Sequence, residues 1–395
     1  MNAPTVNRRG VAMTTAAHLV NDMYQGVVPA LLPFLVAERH YSYAAVAGLT
    51  LAATVVSSIV QPAFGWLGDR RPRRWLIGGG MLVAALGVAV VGLTDSYPLT
   101  WIAIAVSGLG IAAFHPEAAR AARQAAGTSN KAMSLFALGG NGGYALGSLV
   151  ATPIFLTFGV RGAPLLLLPA LVMALVLFAR LTTVLDGPST ARRPRAMPVG
   201  EDDWRAFAKL IVVVVIRSIL FLGVSSFIAL YFIEQLGTSD SLGGVALTTF
   251  LLAGALGTFL GGWFADRTNR VLSLRAGFVL ALPGIIGILL SPVWPLALFF
   301  VAVTGIGLLM PFSVMVMLGQ DYLPQRIGTA SGVTVGLAMT VGGFFTPLLG
   351  ALADRTSLAV AFAALLVLPP IAIAVTFAMR EARQPAATAT SDAPG

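Results

Sequence analysis

Twelve separate stretches of this chain are apolar over the ~20 residues that an α-helix needs to cross the hydrocarbon core of a bilayer. They fall at about 13–37, 43–66, 75–94, 98–120, 132–158, 162–181, 208–233, 242–264, 273–291, 294–318, 327–352 and 357–379. The segments between them are mostly short, which leaves no room for a soluble domain. Only 10% of the residues are charged, against about 25% in soluble globular chains. The expectation is an all-α integral membrane protein of twelve transmembrane helices. The absence of Cys excludes disulfides, thiol nucleophiles and Cys-ligated metals. Three scattered His do not spell out a metal or cofactor site, and neither is expected.

The charges fix an orientation. Cytoplasmic loops are enriched in Lys and Arg. With the N-terminus inside, 21 of the 25 basic residues fall in inner loops and tails, three (Arg39, Arg161, Arg355) fall outside, and Arg217 lies within a span. Both termini are therefore expected in the cytoplasm. The net charge of +9 reads as this topological bias and not as a nucleic-acid surface. The long polar stretch 182–207, with Pro188, Pro194 and Pro198, reads as a cytoplasmic linker. It separates six-span halves at 1–181 and 208–380, and 381–395 reads as a disordered tail.

The halves repeat. Gly65-Trp66-Leu67-Gly68-Asp69-Arg70 recurs as Gly262-Trp263-Phe264-Ala265-Asp266-Arg267, an offset of 197. Gly108-Leu109-Gly110 recurs at the same offset as Gly305-Ile306-Gly307. The segment from Gly65 to Trp75 resembles the signature loop of the major facilitator superfamily, with Pro72 where a Gly is usual. That resemblance implies two pseudo-symmetric six-helix bundles with a substrate site at their interface. Asp69 is placed to meet the positive N-terminal end of span 11, and Asp266 that of span 5. Asp69, Arg70, Arg73, Asp266 and Arg267 are thus candidate gating residues.

Ionisable groups inside a bilayer cost at least ~2.5–3.5 kcal/mol and so face a cavity or a partner. Here they are few: His18 and Asp22 in span 1, His115 and Glu117 in span 4 with Arg120 at its end, and Arg217 in span 7. In the superfamily, spans 1, 4 and 7 line the central cavity. His18 and Asp22 are four apart and share a helix face. Asp22 and Arg217 lie at similar depth and are candidates for a cross-half ion pair. Asp22, His115 and Glu117 are the candidate proton-coupling groups. His18, Asn21, Tyr24, Gln25, Asn141, Tyr231 and Arg217 are candidates for substrate binding, Arg217 because guanidinium grips oxyanions. Arg120 could pair with Glu117 and gate the inner mouth.

A narrower resemblance rests on His18-Leu19-Val20-Asn21-Asp22-Met23, Gln61-Pro62, Phe114-His115-Pro116-Glu117-Ala118-Ala119-Arg120, Gly139-Gly140-Asn141, Leu323-Pro324-Gln325-Arg326-Ile327-Gly328 and Ala353-Asp354-Arg355-Thr356-Ser357. Together these look like the bacterial fosmidomycin resistance protein family, across about 13–380. The resemblance implies an exporter in the bacterial inner membrane, driven by protons; a monomer is the expectation. Its partners would be small molecules, such as phosphonates, and the lipid bilayer. General drug antiporters carry an Arg in span 4 before a G-x-G stretch, whereas this chain has Ala103-Ile104-Ala105 before Gly108. An uptake symporter or uniporter for a small metabolite is the alternative the fold also permits.

Overall fold

A computed structural model describes residues 6–70, 73–127, 129–185, 200–326, 329–330 and 332–381. Within them the regular structure is helical. The first half comprises α1 (Arg8–Arg39), α2 (Tyr43–Arg70), α3 (Trp75–Val91), α4 (Tyr97–Ala126), α5 (Asn130–Phe158) and α6 (Leu167–Leu185). The second comprises α7 (Trp204–Gln235), α8 (Asp240–Arg267), α9 (Arg270–Leu290), α10 (Trp294–Leu309) and α11 (Phe312–Tyr322). It continues through a π-turn at Gly332–Leu337 into α12 (Ala338–Arg355), and ends in α13 (Leu358–Leu365) and α14 (Leu368–Phe377). α10 and α11 make one span broken at Met310-Pro311, and α13 and α14 make another. Helix thus occupies all twelve expected positions.

Ten of these segments are long and apolar enough to cross a bilayer; α3 is apolar but only 17 residues long. α5 is long but dilutes its apolar character with Gly and Asn, for a packing reason given below. α6 continues to Leu185 and α7 begins at Trp204, so helix occupies the ends of the stretch read as linker. Residues 186–199 of that stretch and 382–395 of the tail lie outside the described part.

Helix starts are capped where a bilayer would leave backbone donors without water. Asn7, Ser129, Asp203, Ser239, Asn269 and Ser357 each accept a bond from a backbone N–H three residues on. These are the side chains that cap best.

The sequence repeat is also a packing repeat. A Cβ on Gly108 would meet the Ala53 carbonyl, and one on Gly305 would meet the Phe250 carbonyl. Gly110 packs on Gly80 and Ala84, and Gly307 on Gly277 and Ala281. Every partner is displaced by the same 197 positions. Arg70 stacks on Trp66 at 3.7 Å in one half, and Arg267 on Trp263 at 3.9 Å in the other.

Hydrogen bonds join the halves on the face opposite the N-terminus. There, Asp354 accepts from the backbone N–H groups of Tyr43 (2.7 Å) and Ala44 (2.9 Å), at the start of α2. The Tyr43 hydroxyl donates to Glu234. Thr50 meets Ser226 at 3.1 Å, and Ser148 meets Thr248 at 3.0 Å. Along α2 and α12 the contact then loosens. A Cβ on Gly350 would collide with Tyr43, one on Gly343 with Thr54, and one on Gly336 would come no nearer than 3.8 Å to Ser58. For Gly332 nothing lies within 4 Å. The halves are closed on the far face and diverge toward the face that carries the N-terminus.

Candidate functional site

Between the halves lies a cavity of about 330 Å³. Its first wall is built on glycine. On α5, Gly139, Gly143 and Gly147 lie four residues apart and rest on the backbone carbonyls of Thr15, Leu19 and Met23 in α1. Any side chain there would force the helices apart, a spacing typical of close helix pairs in membranes. This contact accounts for the weak hydropathy of α5. It also turns His18 and Asp22 of α1 toward His115 of α4.

The three side chains form one cluster. His18 Nε2 lies 3.2 Å from Asp22 Oδ2, and His115 Nε2 lies 3.1 Å from Asp22 Oδ1. His18 Nδ1 donates to the Phe136 carbonyl at 2.7 Å, and His115 Nδ1 to the Ile111 carbonyl at 2.9 Å. Asn21 Nδ2 donates to Asp22 Oδ1 at 2.9 Å. The His18 ring stacks on Phe136 at 4.2 Å. His18 and Asp22 are buried, and His115 is partly open to the cavity.

The proton count of the cluster follows from its donors. A carbonyl only accepts, so each Nδ1 carries a hydrogen. Each Nε2–carboxylate contact then needs a proton of its own. With two protons both contacts are made and the cluster carries one net positive charge. With one, a nitrogen lone pair faces an oxygen lone pair, and that contact must open. Proton occupancy and side-chain position are therefore linked.

The second wall holds Arg217 on α7. It is 2% exposed and lies 4.9 Å over the Phe312 ring and 5.7 Å from that of Phe221. Its Nε has no hydrogen-bond partner. The expected Asp22–Arg217 ion pair is not formed: the carboxylate is taken by the two His, and among the described residues no carboxylate pairs with the guanidinium. A buried cation without a counter-ion is costly, and an anion in the cavity would offset that cost.

Of the other expected residues, Gln25 and Asn141 line the cavity, with Tyr144 beside them. Tyr24 is fully buried and donates to the Leu166 carbonyl, and Tyr231 packs on Phe362 at 4.8 Å. Asn21 reaches the cavity only through Asp22. Glu117 is 2% exposed and points away from the His–Asp–His cluster. It lies against Gly68 of α2, with Arg120 at 3.4 Å, and Arg120 also donates to the Gly68 carbonyl. Arg73 is half-buried, with Nε unpartnered, while Asp266 and Arg267 are exposed. The Asp69 side chain and most of the turn at the start of span 11 lie outside the described part. Sequence reasoning missed Thr50, Thr54, Ser57 and Ser58, which form a hydroxyl stripe on α2 in the cavity wall. Their helical spacing was the available signal.

Two six-helix halves, a mainly apolar cavity between them that carries a few polar and charged side chains, and closure on one face define a secondary transporter rather than an enzyme. The family model described as Major Facilitator Superfamily matches residues 14–347 and 210–394, and the chain belongs to that superfamily. It is 31% identical over 368 residues to the uncharacterized MFS-type transporter YfnC of Bacillus subtilis (strain 168), covering 90% of this chain and 89% of that protein. It is 29% identical over 375 residues to the fosmidomycin resistance protein of Escherichia coli (strain K12), covering 91% and 90%. Among solved structures it resembles a bacterial homolog of the human lysosomal transporter Spinster in an inward-facing and occupied conformation. That match has a TM-score of 0.79 and 15% identity, and covers 95% of this chain and 97% of that one. A mutant of the nucleoside transporter NupG matches with a TM-score of 0.74 and 9% identity, covering 94% and 100%.

Proposed function

We propose that the protein is a proton-coupled exporter of small anionic or amphiphilic compounds, phosphonates among them. One observation carries the reading. A His–Asp–His cluster on the first half and an unpaired guanidinium on the second face the same cavity. The relative named for fosmidomycin resistance supports the substrate class.

With both termini in the cytoplasm, the state described is the inward-open one. An anionic compound enters from the cytoplasm and meets Arg217. Rocking of the halves exposes the cavity outside, where the compound leaves and protons load the His18–Asp22–His115 cluster. The filled cluster favours the return, and protons leave inward. Glu117 and Arg120 serve as a clamp between α4 and the end of α2, moving with the gate rather than carrying the transported proton.

Proteoliposomes with an acidic lumen and labelled fosmidomycin outside test this. Protein inserted with its cytoplasmic face outward should accumulate the compound, and a protonophore should abolish accumulation. Equilibration that ignores the gradient would mean a uniporter. Accumulation only with the opposite gradient would mean an uptake symporter.

A further inference from the structure

The ligand atoms of His18, Asp22 and His115 all lie within 4.8 Å of one another, on the wall of a cavity. We propose that this cluster is a binding site for a late first-row divalent cation, zinc best of all. The metal would be held by the two His Nε2 atoms and the Asp22 carboxylate. The inference uses the same side chains as the transport reading but needs no proton step.

The spacing fits. Zinc stands about 2.0–2.2 Å from imidazole nitrogen and carboxylate oxygen. Two such ligands are then about 3.4 Å apart at a tetrahedral angle and about 3.0 Å at an octahedral one. The two nitrogen–oxygen separations here are 3.2 and 3.1 Å. The outer contacts fit as well. Ligating His normally donates its other ring N–H to a carbonyl or carboxylate, which fixes the tautomer and aims the lone pair. Both rings do so, to Phe136 and Ile111. Asn21 holds one carboxylate oxygen.

Space is kept for the cluster by a glycine. A Cβ on Gly140 would stand 2.6 Å from the His18 ring and 2.9 Å from Asp22 Oδ2. Two imidazoles and a single carboxylate suit zinc, cobalt or nickel. Calcium takes six to eight oxygen ligands, and magnesium likewise prefers oxygen. One carboxylate leaves a bound divalent ion positively charged, and Arg217 adds to that across the cavity. An anion therefore suits the coordination positions that open onto the cavity.

Cobalt(II) is the probe, added to the full-length, tag-free protein in detergent after treatment with a chelator. The chain has no Cys and only three His, so the background is small. The expected result is a visible-range ligand-field absorption that saturates at one equivalent and is displaced by zinc. His115→Ala and Asp22→Asn should each weaken cobalt by about 100-fold, and Asn21→Ala by about 10-fold, as outer-contact losses do. His40→Ala should change nothing.

A wild-type protein with no saturable absorption, or a His115→Ala protein of unchanged affinity, overturns the proposal. Gly140→Ala keeps all three ligands and covers the case in which a ligand variant misfolds. Folded and binding cobalt as well as wild type, it would also overturn the proposal. Gradient-driven transport without a cobalt signal would sink this inference alone. Saturable cobalt with transport indifferent to the gradient would sink only the coupling reading.

Discussion

The two halves share a frame and differ in chemistry. Gly108 and Gly110 lie against α2 and α3 as Gly305 and Gly307 lie against α8 and α9. Five residues beyond Gly110, the first half presents His115; at the matching offset the second presents Phe312. His115 joins a carboxylate, whereas Phe312 lies under an unpaired guanidinium. α4 runs unbroken through this point, but its counterpart breaks between α10 and α11. Duplication preserved the backbone crossings, where no side chain fits, and left the cavity wall free to diverge. The first wall thus suits cations and the second anions.

The largest expected effect falls on the cation-binding wall. Asp22→Asn removes the only carboxylate lining the cavity among the described residues. Gradient-driven accumulation in proteoliposomes should drop to the level of empty vesicles, while thermal unfolding in detergent stays near wild type. Accumulation retained above a tenth of wild type would remove Asp22 from the coupling step.

Next comes the anion-binding wall. Arg217→Ala should weaken anionic substrates by about 10- to 100-fold, the worth of a hydrogen bond to a charged group, about 1.5–3 kcal/mol. Neutral substrates should be nearly unaffected, and Arg217→Lys should restore part of the loss. Equal losses for both substrate kinds would make Arg217 a packing residue, and the contrast between the walls would fail.

The shared frame makes a smaller, symmetric prediction. Gly110→Ala and Gly307→Ala each press a methyl group into backbone at the same crossing. Overpacking costs roughly 1–3 kcal/mol, and the two variants should lose similar thermal stability. A large loss in one half only would mean that the crossings are not equivalent.

The spans, the duplication and the two titratable helix faces are legible in the amino-acid sequence, because each is written in hydropathy or in a fixed offset. The pairing inside the cavity is not. It depends on how far α1 slides along α5, which a ladder of glycines sets, and on the Phe136 carbonyl, which no side-chain pattern reveals. Glu117 is different. Two residues from His115 on one helix, it had to point elsewhere, and the helical period alone separates the pair. The far-face latch is not legible: Asp354 enters the sequence reading only through a family resemblance, and its contact with the start of α2 depends on how the halves meet.

That latch gives the smallest effect and the sharpest test of symmetry. Asp354 ends α12 and accepts from the first N–H groups of α2. It is a cap donated by the other half of the protein. Asp69 ends α2, at the other end of the same helix pair, where span 11 begins. If the halves rock, Asp354 holds the far face closed and Asp69 should hold the opposite state. Losing a cap costs about 0.5–2 kcal/mol. Asp354→Asn keeps the shape but weakens the charge–dipole contact, so the balance should move several-fold toward the state open on the far face. Two introduced Cys, one near Tyr43 and one near Leu352, report this cleanly in a chain that has none of its own. Spin labels there should show a longer second distance growing in Asp354→Asn and shrinking in Asp69→Asn. If Asp69→Asn lengthens the distances as Asp354→Asn does, the two aspartates do not oppose one another, and the mirror relation between the gates is lost.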